Sequence, residues 1–221
     1  MTDLPPPPPS SFGTPSPASS PDAGAALSYG WKKFQQNVGP LIAVILIPII
    51  LQAILQIIGV VVIKGPVGYI IFGILAAVVS LAGSIGIFNA ALLITSGQPL
   101  DIGKAFSTDR WGEWIVFAFV FGLFVGVGAI FCGIGALVVL AFYGLAPYYF
   151  LDQRKSLGEA FKASLDATRG NAGIPMAIAL TVLVGIAGVI LCYVGALVTM
   201  PIAYLGVGFL YRHINNQPVA P

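Results

Sequence analysis

Residues 114–151 read WIVFAFVFGLFVGVGAIFCGIGALVVLAFYGLAPYYFL, 38 consecutive positions without Asp, Glu, Lys, Arg or His. As a single helix rising about 1.5 Å per residue, this stretch would reach about 57 Å, nearly twice the roughly 30 Å hydrocarbon core of a bilayer. It must fold back on itself. The run Cys132, Gly133, Ile134, Gly135 at its midpoint supplies the turn, which predicts two membrane spans at about 114–131 and 135–151.

The same pattern recurs on both sides. Upstream, Leu41 to Ile63 is uncharged, Lys64-Gly65-Pro66 makes a tight turn, and Gly68 to Thr95 returns, giving spans at 41–63 and 68–95. Downstream, Ala172 to Tyr211 turns near Cys192 to Gly195, giving spans at 173–192 and 195–212. The composition agrees: 57% of residues are hydrophobic and 8% charged, against roughly 25% charged in a soluble domain. The expected fold is all-α, a polytopic membrane bundle of six helices over residues 27–214.

Threading the chain this way puts nine of the ten Lys and Arg on one side together with all eight Asp and Glu, with Lys64 alone opposite. Cytoplasmic loops collect Lys and Arg, so that side is read as cytoplasmic and holds both termini. A net charge of +2, with basic residues single or paired, excludes a nucleic-acid surface. Residues 1–26 contain no Lys or Arg and no apolar core, so no secretory signal is read there and the first span directs insertion. That segment holds eight of the seventeen prolines, including Pro5 to Pro9, and is expected to be a disordered tail. It reads as a spacer, or as a docking ligand switched at Thr14-Pro15, Ser16-Pro17 or Ser20-Pro21. Residues 215–221 form a short C-terminal tail.

Two amphipathic segments lie between the spans and the charged loops. Leu27, Trp31, Phe34 and Val38 share a face opposite Lys32, Lys33, Gln35 and Gln36. In the second segment Leu157, Phe161, Leu165 and Thr168 lie opposite Glu159, Lys162, Asp166 and Arg169. Both are read as interfacial helices on the cytosolic side. Ser96 to Glu113 is a polar loop.

A shift of sixty residues aligns Leu123, Gly128, Ile130, Cys132 and Gly135 to Val138 with Leu183, Gly188, Ile190, Cys192 and Gly195 to Val198, eight identities in sixteen positions. Ile102 to Phe106 likewise matches Leu157 to Phe161. The unit is an interfacial helix followed by a transmembrane hairpin, used twice clearly and once weakly as Leu27 to Thr95. Because each copy enters from the same side, the three hairpin repeats are parallel, unlike the inverted repeats of many transporters.

Up to Arg212 at the end of the last, no Asp, Glu, Lys, Arg or His enters the spans, which argues against ion-coupled transport. The polar residues inside them are Gln52, Gln56, Ser80, Ser84 and Asn89, readable as a solute path or as helix-packing contacts. Ala118, Gly122 and Gly126, and Thr181 with Gly185, are read as packing seams, while Pro48 and Pro201 are read as kinks. Cys132 and Cys192 are either a disulfide between repeats or two free thiols. One His, and no HExxH, GxSxG, P-loop or GxGxxG, leave no enzyme motif, cofactor or metal site to nominate. His213 beside Arg212 reads as an interfacial anchor.

The fragments Ala146 to Asp152, Ala160 to Ser164 and Arg169-Gly170-Asn171, with the hairpin pattern, resemble a family of bacterial six-helix integral membrane proteins of unknown function. The membrane domain of some glycerophosphodiester phosphodiesterases is similar, and the Pro-rich head resembles the proline- and glycine-rich membrane proteins of actinobacteria. The resemblance covers residues 27–213 and implies a bacterial plasma-membrane protein. It carries over no catalytic residue, since the soluble phosphodiesterase domain is missing from this sequence. Two functions are expected: a non-enzymatic scaffold or accessory subunit acting through the lipid bilayer, a membrane-protein partner or a second copy, or a carrier or channel for an uncharged or lipidic solute.

Overall fold

A computed structural model describes residues 22–62, 65–131, 133–191 and 193–221. The Pro-rich stretch 1–21, Lys64, Cys132 and Cys192 lie outside the described residues, and with them the disulfide reading. The described chain is all helical: α1 Ala23–Gln36, α2 Val38–Val62, α3 Pro66–Thr95, α4 Ile102–Ala105, α5 Trp111–Ile130, α6 Ile134–Tyr143, α7 Ala146–Asp152, α8 Leu157–Arg169, α9 Gly173–Leu191 and α10 Tyr193–Ile214. Five stretches are long and apolar enough to cross a membrane: Val38–Val61, Pro66–Thr95, Trp111–Ile130, Ile134–Asp152 and Gly195–Ile214. The sixth passes only as a pair, Leu157–Arg169 with Gly173–Gly188, bent by 109°. The chain is a multi-pass membrane protein.

Close backbone approach pairs these helices. In α5 and α6, a Cβ on Gly128 would lie 2.7 Å from the Ala136 nitrogen, and one on Gly135 would lie 2.5 Å from the Gly128 oxygen. Between them Gly133 turns the chain at φ +76, a conformation that costs a side-chain-bearing residue about 1 kcal/mol or more. Gly188 of α9 likewise meets Gly195 of α10, and in α2 and α3 Gly83 sits on Pro48 and Gly59 on Phe72.

The helix α10 is the centre of the bundle: Ile202, Leu205, Leu210 and Tyr211 are buried, whereas Ile49, Ile50, Ile57 and Val61 on α2 are exposed. Around it a core of rings forms: Trp114, Phe117, Tyr148 and Tyr211 are fully enclosed. Phe88 meets Trp114, Tyr148 and Tyr204 edge-on at 5.8, 5.4 and 5.0 Å.

Several details differ from the sequence reading. The span expected at 135–151 is present as Ile134–Asp152, but it is made of two helices, α6 and α7, with the helix interrupted at Gly144 and Leu145. Pro147 occupies the first turn of α7, where a missing N–H costs little, and its ring disfavours continuous helix through the residues before it. The Phe142 carbonyl accepts instead from the Ser164 hydroxyl at 2.9 Å and the Thr168 hydroxyl at 3.3 Å, both on α8. Hydroxyls from a neighbouring helix thus satisfy backbone that a broken span would leave bare in lipid. The buried stripe of α8 is accordingly Ala160, Ser164 and Thr168, with Leu165 only half-buried.

The helix α1 begins at Ala23, within the stretch read as tail, because the Asp22 carboxylate accepts from the Ala25 N–H at 2.6 Å. It buries Ala26, Gly30, Lys33 and Phe34, while Trp31 and Val38 are exposed. Gly30 rests against the Ile202 carbonyl and Ala26 against Gly206, so contact with α10 sets the register and draws Lys33 inward. Gly122 and Gly126, read as a seam, have nothing within 4 Å of a Cβ and face outward. The seam expected at Thr181 and Gly185 is present, packed on Gly206 and Ala203. The loop before α5 contains α4, capped by the Asp101 carboxylate on the Lys104 N–H at 2.9 Å, and residues 215–221 return to the bundle, the Ala220 N–H donating to the Thr95 carbonyl at 3.0 Å.

Candidate functional site

The ends of α3, α5, α7 and α10 converge, and polar side chains tie them together. Thr95 closes α3: its hydroxyl donates to the carbonyls of Ala91 at 2.7 Å and Leu92 at 3.2 Å. That leaves its oxygen to accept from Arg212 Nε, 2.9 Å away on α10. The remaining contacts of Arg212 are long: Nη1 donates to Gln217 Oε1 and Nη2 to the Leu92 carbonyl, both at 3.4 Å. Arg212 is 7% exposed and has no carboxylate within ion-pair distance among the described residues.

A polar pocket of about 270 Å³ opens beside it, lined by Asn89, Ser96, Lys104, Ser107, Asp152 and Arg212 among others. Asn89 holds its wall, donating to the carbonyls of Ala105 at 3.0 Å and Ser107 at 3.2 Å and so fixing α4 against α3. Phe106 clamps the same loop over Gly86. Across the pocket, Asp152 Oδ2 accepts from the Tyr211 hydroxyl at 2.7 Å and Gln217 Nε2 at 3.1 Å.

A second charged group gathers at the start of α5 and the loop after α7. Arg110 pairs with Glu113 and donates from Nη1 to the Lys155 carbonyl at 3.3 Å, with its guanidinium over the Phe150 ring at 4.5 Å. Arg154 pairs with Asp109, and this hydrogen-bonded guanidinium holds the Asp109 carboxyl below its usual range. Both partners of that pair are well exposed, where solvent screening leaves such contacts little weight in stability. On α8 the Ser156 backbone and hydroxyl hold Glu159 low, completing a capping box. Burial pushes Tyr29 on α1 up to about 12, partly offset by the nearby Arg212 charge. Its hydroxyl is buried without a hydrogen-bond partner among the described residues. Burial, and then Lys32, lower Lys33.

Deeper in the bundle an apolar cavity of about 140 Å³ is lined by Phe88, Tyr148, Ile178, Val182, Ala203 and Tyr204 among others. Its polar feature is a hydrogen bond from the Tyr148 hydroxyl to the Tyr204 carbonyl, 2.7 Å.

Of the residues singled out in the sequence, Asn89 alone lines the polar pocket. Gln52 is half-buried on α2, and Gln56 and Ser80 are exposed. Ser84 spends its hydroxyl on the Leu81 carbonyl at 2.7 Å. None of these four lines either space. Arg212, Lys104 and Asp152 were legible only as charges at span ends. Among the described residues, His, Cys, Asp and Glu form no group of three able to hold a metal.

Over 135 residues the chain is 27% identical to an uncharacterized protein of Mycobacterium bovis and to uncharacterized proteins of two strains of Mycobacterium tuberculosis. The matched segment is 61% of this chain and 42% of each relative, so the chain spans less than half the length of the curated relatives it matches. No family model matches the chain, and no solved structure does.

Proposed function

We propose that this is a non-enzymatic protein of the bacterial plasma membrane that acts through protein or lipid partners, as a scaffold or accessory subunit in cell-envelope processes. Both termini lie in the cytoplasm on this reading, and α1 and α8 lie at the membrane interface. The observation that carries it is the fastening of α8. A capping box starts this helix, its Ser164 and Thr168 grip the Phe142 carbonyl, and it leaves α9 at 109°. Its outer face, Glu159, Lys162, Asp166 and Arg169, is thereby held as a fixed charged surface that a partner can read.

The fold on this reading is three parallel hairpin units. Support comes from the glycine contacts: Gly128 meets Gly135 and Gly188 meets Gly195, pairs that the sixty-residue shift superimposes. The test is crosslinking and co-purification from the native membrane. A stable partner should be recovered, and its capture should be weakened by reversing Lys162 and Arg169 to Glu or by deleting residues 1–21, which lie ahead of the α1 cap at Asp22. Recovery of bulk lipid alone, or capture indifferent to both changes, would refute the scaffold reading.

A second reading, a carrier for an uncharged or lipidic solute, is favoured by the apolar cavity between Phe88 and Tyr204. It requires flux in proteoliposomes that falls when Ala203→Phe fills that space.

A further inference from the structure

We propose that the polar pocket between α3, α4 and α10 binds a phosphodiester group, with Arg212 and Lys104 as its cationic contacts. Taking Arg212 out of water is costly unless an anion compensates it. Arg110 and Arg154 each have a carboxylate, whereas Arg212, the most buried of the three, has only neutral acceptors. A guanidinium carries five N–H donors in a planar fork matched to carboxylate and phosphate oxygens. Three are engaged here, two of them at 3.4 Å, so the fork retains donors for a ligand in the adjoining space of about 270 Å³.

Lys104 adds a second cation on the pocket wall, and Asn89 holds α4 so that this wall stays in place. Ser107 contributes a hydroxyl at the rim. Asp152 opposes an anion, yet its Oδ2 is already engaged by Tyr211 and Gln217. Arg212 and Lys104 against Asp152 leave the pocket at +1. That balance suits the single charge of a phosphodiester better than a phosphate monoester, which carries about −1.5 to −2 at neutral pH. The pocket also lies where spans end, at the depth of lipid headgroups, and basic pockets between transmembrane helices recognise such groups. A phospholipid headgroup and a water-soluble phosphodiester share this chemistry.

The inference deepens the partner-based reading and rests on its membrane placement. It is tested on the full chain in an uncharged maltoside detergent by native mass spectrometry and ligand titration. The probes are phosphatidylglycerol, diacylglycerol as the phosphate-free control, glycerophosphoglycerol and inorganic phosphate. Phosphatidylglycerol should bind more tightly than diacylglycerol, and Arg212→Gln should weaken it by about tenfold or more, as loss of charge-assisted bonds implies. Because Arg212 also ties α10 to Thr95, exposed Lys104→Gln serves as the variant that leaves the fold intact, and it should weaken binding in the same direction. Asp152→Asn should shift preference toward inorganic phosphate. Glycerophosphoglycerol binding as tightly as the lipid supports the site and makes its ligand soluble. Equal retention of phosphatidylglycerol and diacylglycerol with no binding of the soluble probes, or unchanged affinities in folded Lys104→Gln and Arg212→Gln, would overturn the proposal. Loss of protein partners with phosphodiester binding retained would count against the scaffold alone.

Discussion

Replacing Gly128 by Ala tests whether α5 and α6 meet backbone to backbone. The new Cβ would lie 2.7 Å from the Ala136 nitrogen, 2.7 Å from the Gly135 carbonyl carbon and 2.8 Å from its oxygen. None of these is the tip of a flexible side chain, so the helices themselves must separate. Inserting a methyl group where nothing can yield costs about 1–3 kcal/mol. Against this, Ala is favoured over Gly inside a helix by up to about 1 kcal/mol. Gly122→Ala, in the same helix but facing open space, carries the second effect without the first. The difference between the two variants therefore isolates the clash, and Gly128→Ala should be less stable than Gly122→Ala by about 1–3 kcal/mol. The assay is SDS-induced unfolding from maltoside micelles, followed by fluorescence of Trp111 and Trp114 on α5. Two variants agreeing within about 0.5 kcal/mol would refute the close α5–α6 crossing and the hairpin built on it.

Tyr29→Phe should stabilise the protein by about 1 kcal/mol in the same assay, because it removes a buried hydroxyl that has no partner among the described residues. A tyrosine-ionisation difference titration, wild type minus this variant, should show one transition at about 12. An unfolded tyrosine ionises near 10, so the contribution of Tyr29 is intact below pH 10 and is lost as pH rises from 10 to 12; a midpoint at 10 would contradict its burial. Ser164→Ala with Thr168→Ala strips the Phe142 carbonyl of both hydroxyl donors and should cost about 1–3 kcal/mol, while the exposed Asp166→Asn on the same helix should change stability by less than about 0.5 kcal/mol. Asp109→Asn breaks the exposed pair with Arg154 and should lower the unfolding midpoint little, less than the Ser164→Ala, Thr168→Ala pair does, by an amount that shrinks in high salt.

The spans were legible because their signal is local. An uncharged apolar run of fixed length, ended by Gly and Pro, needs no knowledge of neighbours, and Gly133 marks its turn through the conformation it alone tolerates. The break at Gly144 and Leu145 was also written in the chain, in the Gly144 to Pro147 spacing, but uniform hydrophobicity masked it. Periodicity failed where another helix chose the face. Ahead of the first span the apolar pattern nominated Leu27, Trp31, Phe34 and Val38; Phe34 is buried and Leu27 packs on the core, yet Gly30 allows α1 to settle against the Ile202 carbonyl, which turns Lys33 inward and Trp31 outward.

The polar pocket was illegible for a different reason. Asn89 attracts notice because an amide within a span is unusual, but Arg212 at the end of the last span looks like any snorkelling anchor. What distinguishes it is Thr95, whose hydroxyl lies 2.9 Å from Nε across 117 residues of sequence. Once α3 and α10 are packed side by side, that bond holds the guanidinium on the pocket wall instead of letting it swing freely outward. A cation denied access to water then needs its anion brought to it. The positioning of α4 by Asn89, which places Lys104 on the same wall, therefore has a consequence beyond fastening a loop: it adds a second positive charge to a space where Asp152 offsets only one. Two like charges lining one pocket repel, and a fold that retains both is more stable with an anion between them than without. Phosphodiester binding should accordingly raise the unfolding midpoint of the wild type more than that of Arg212→Gln.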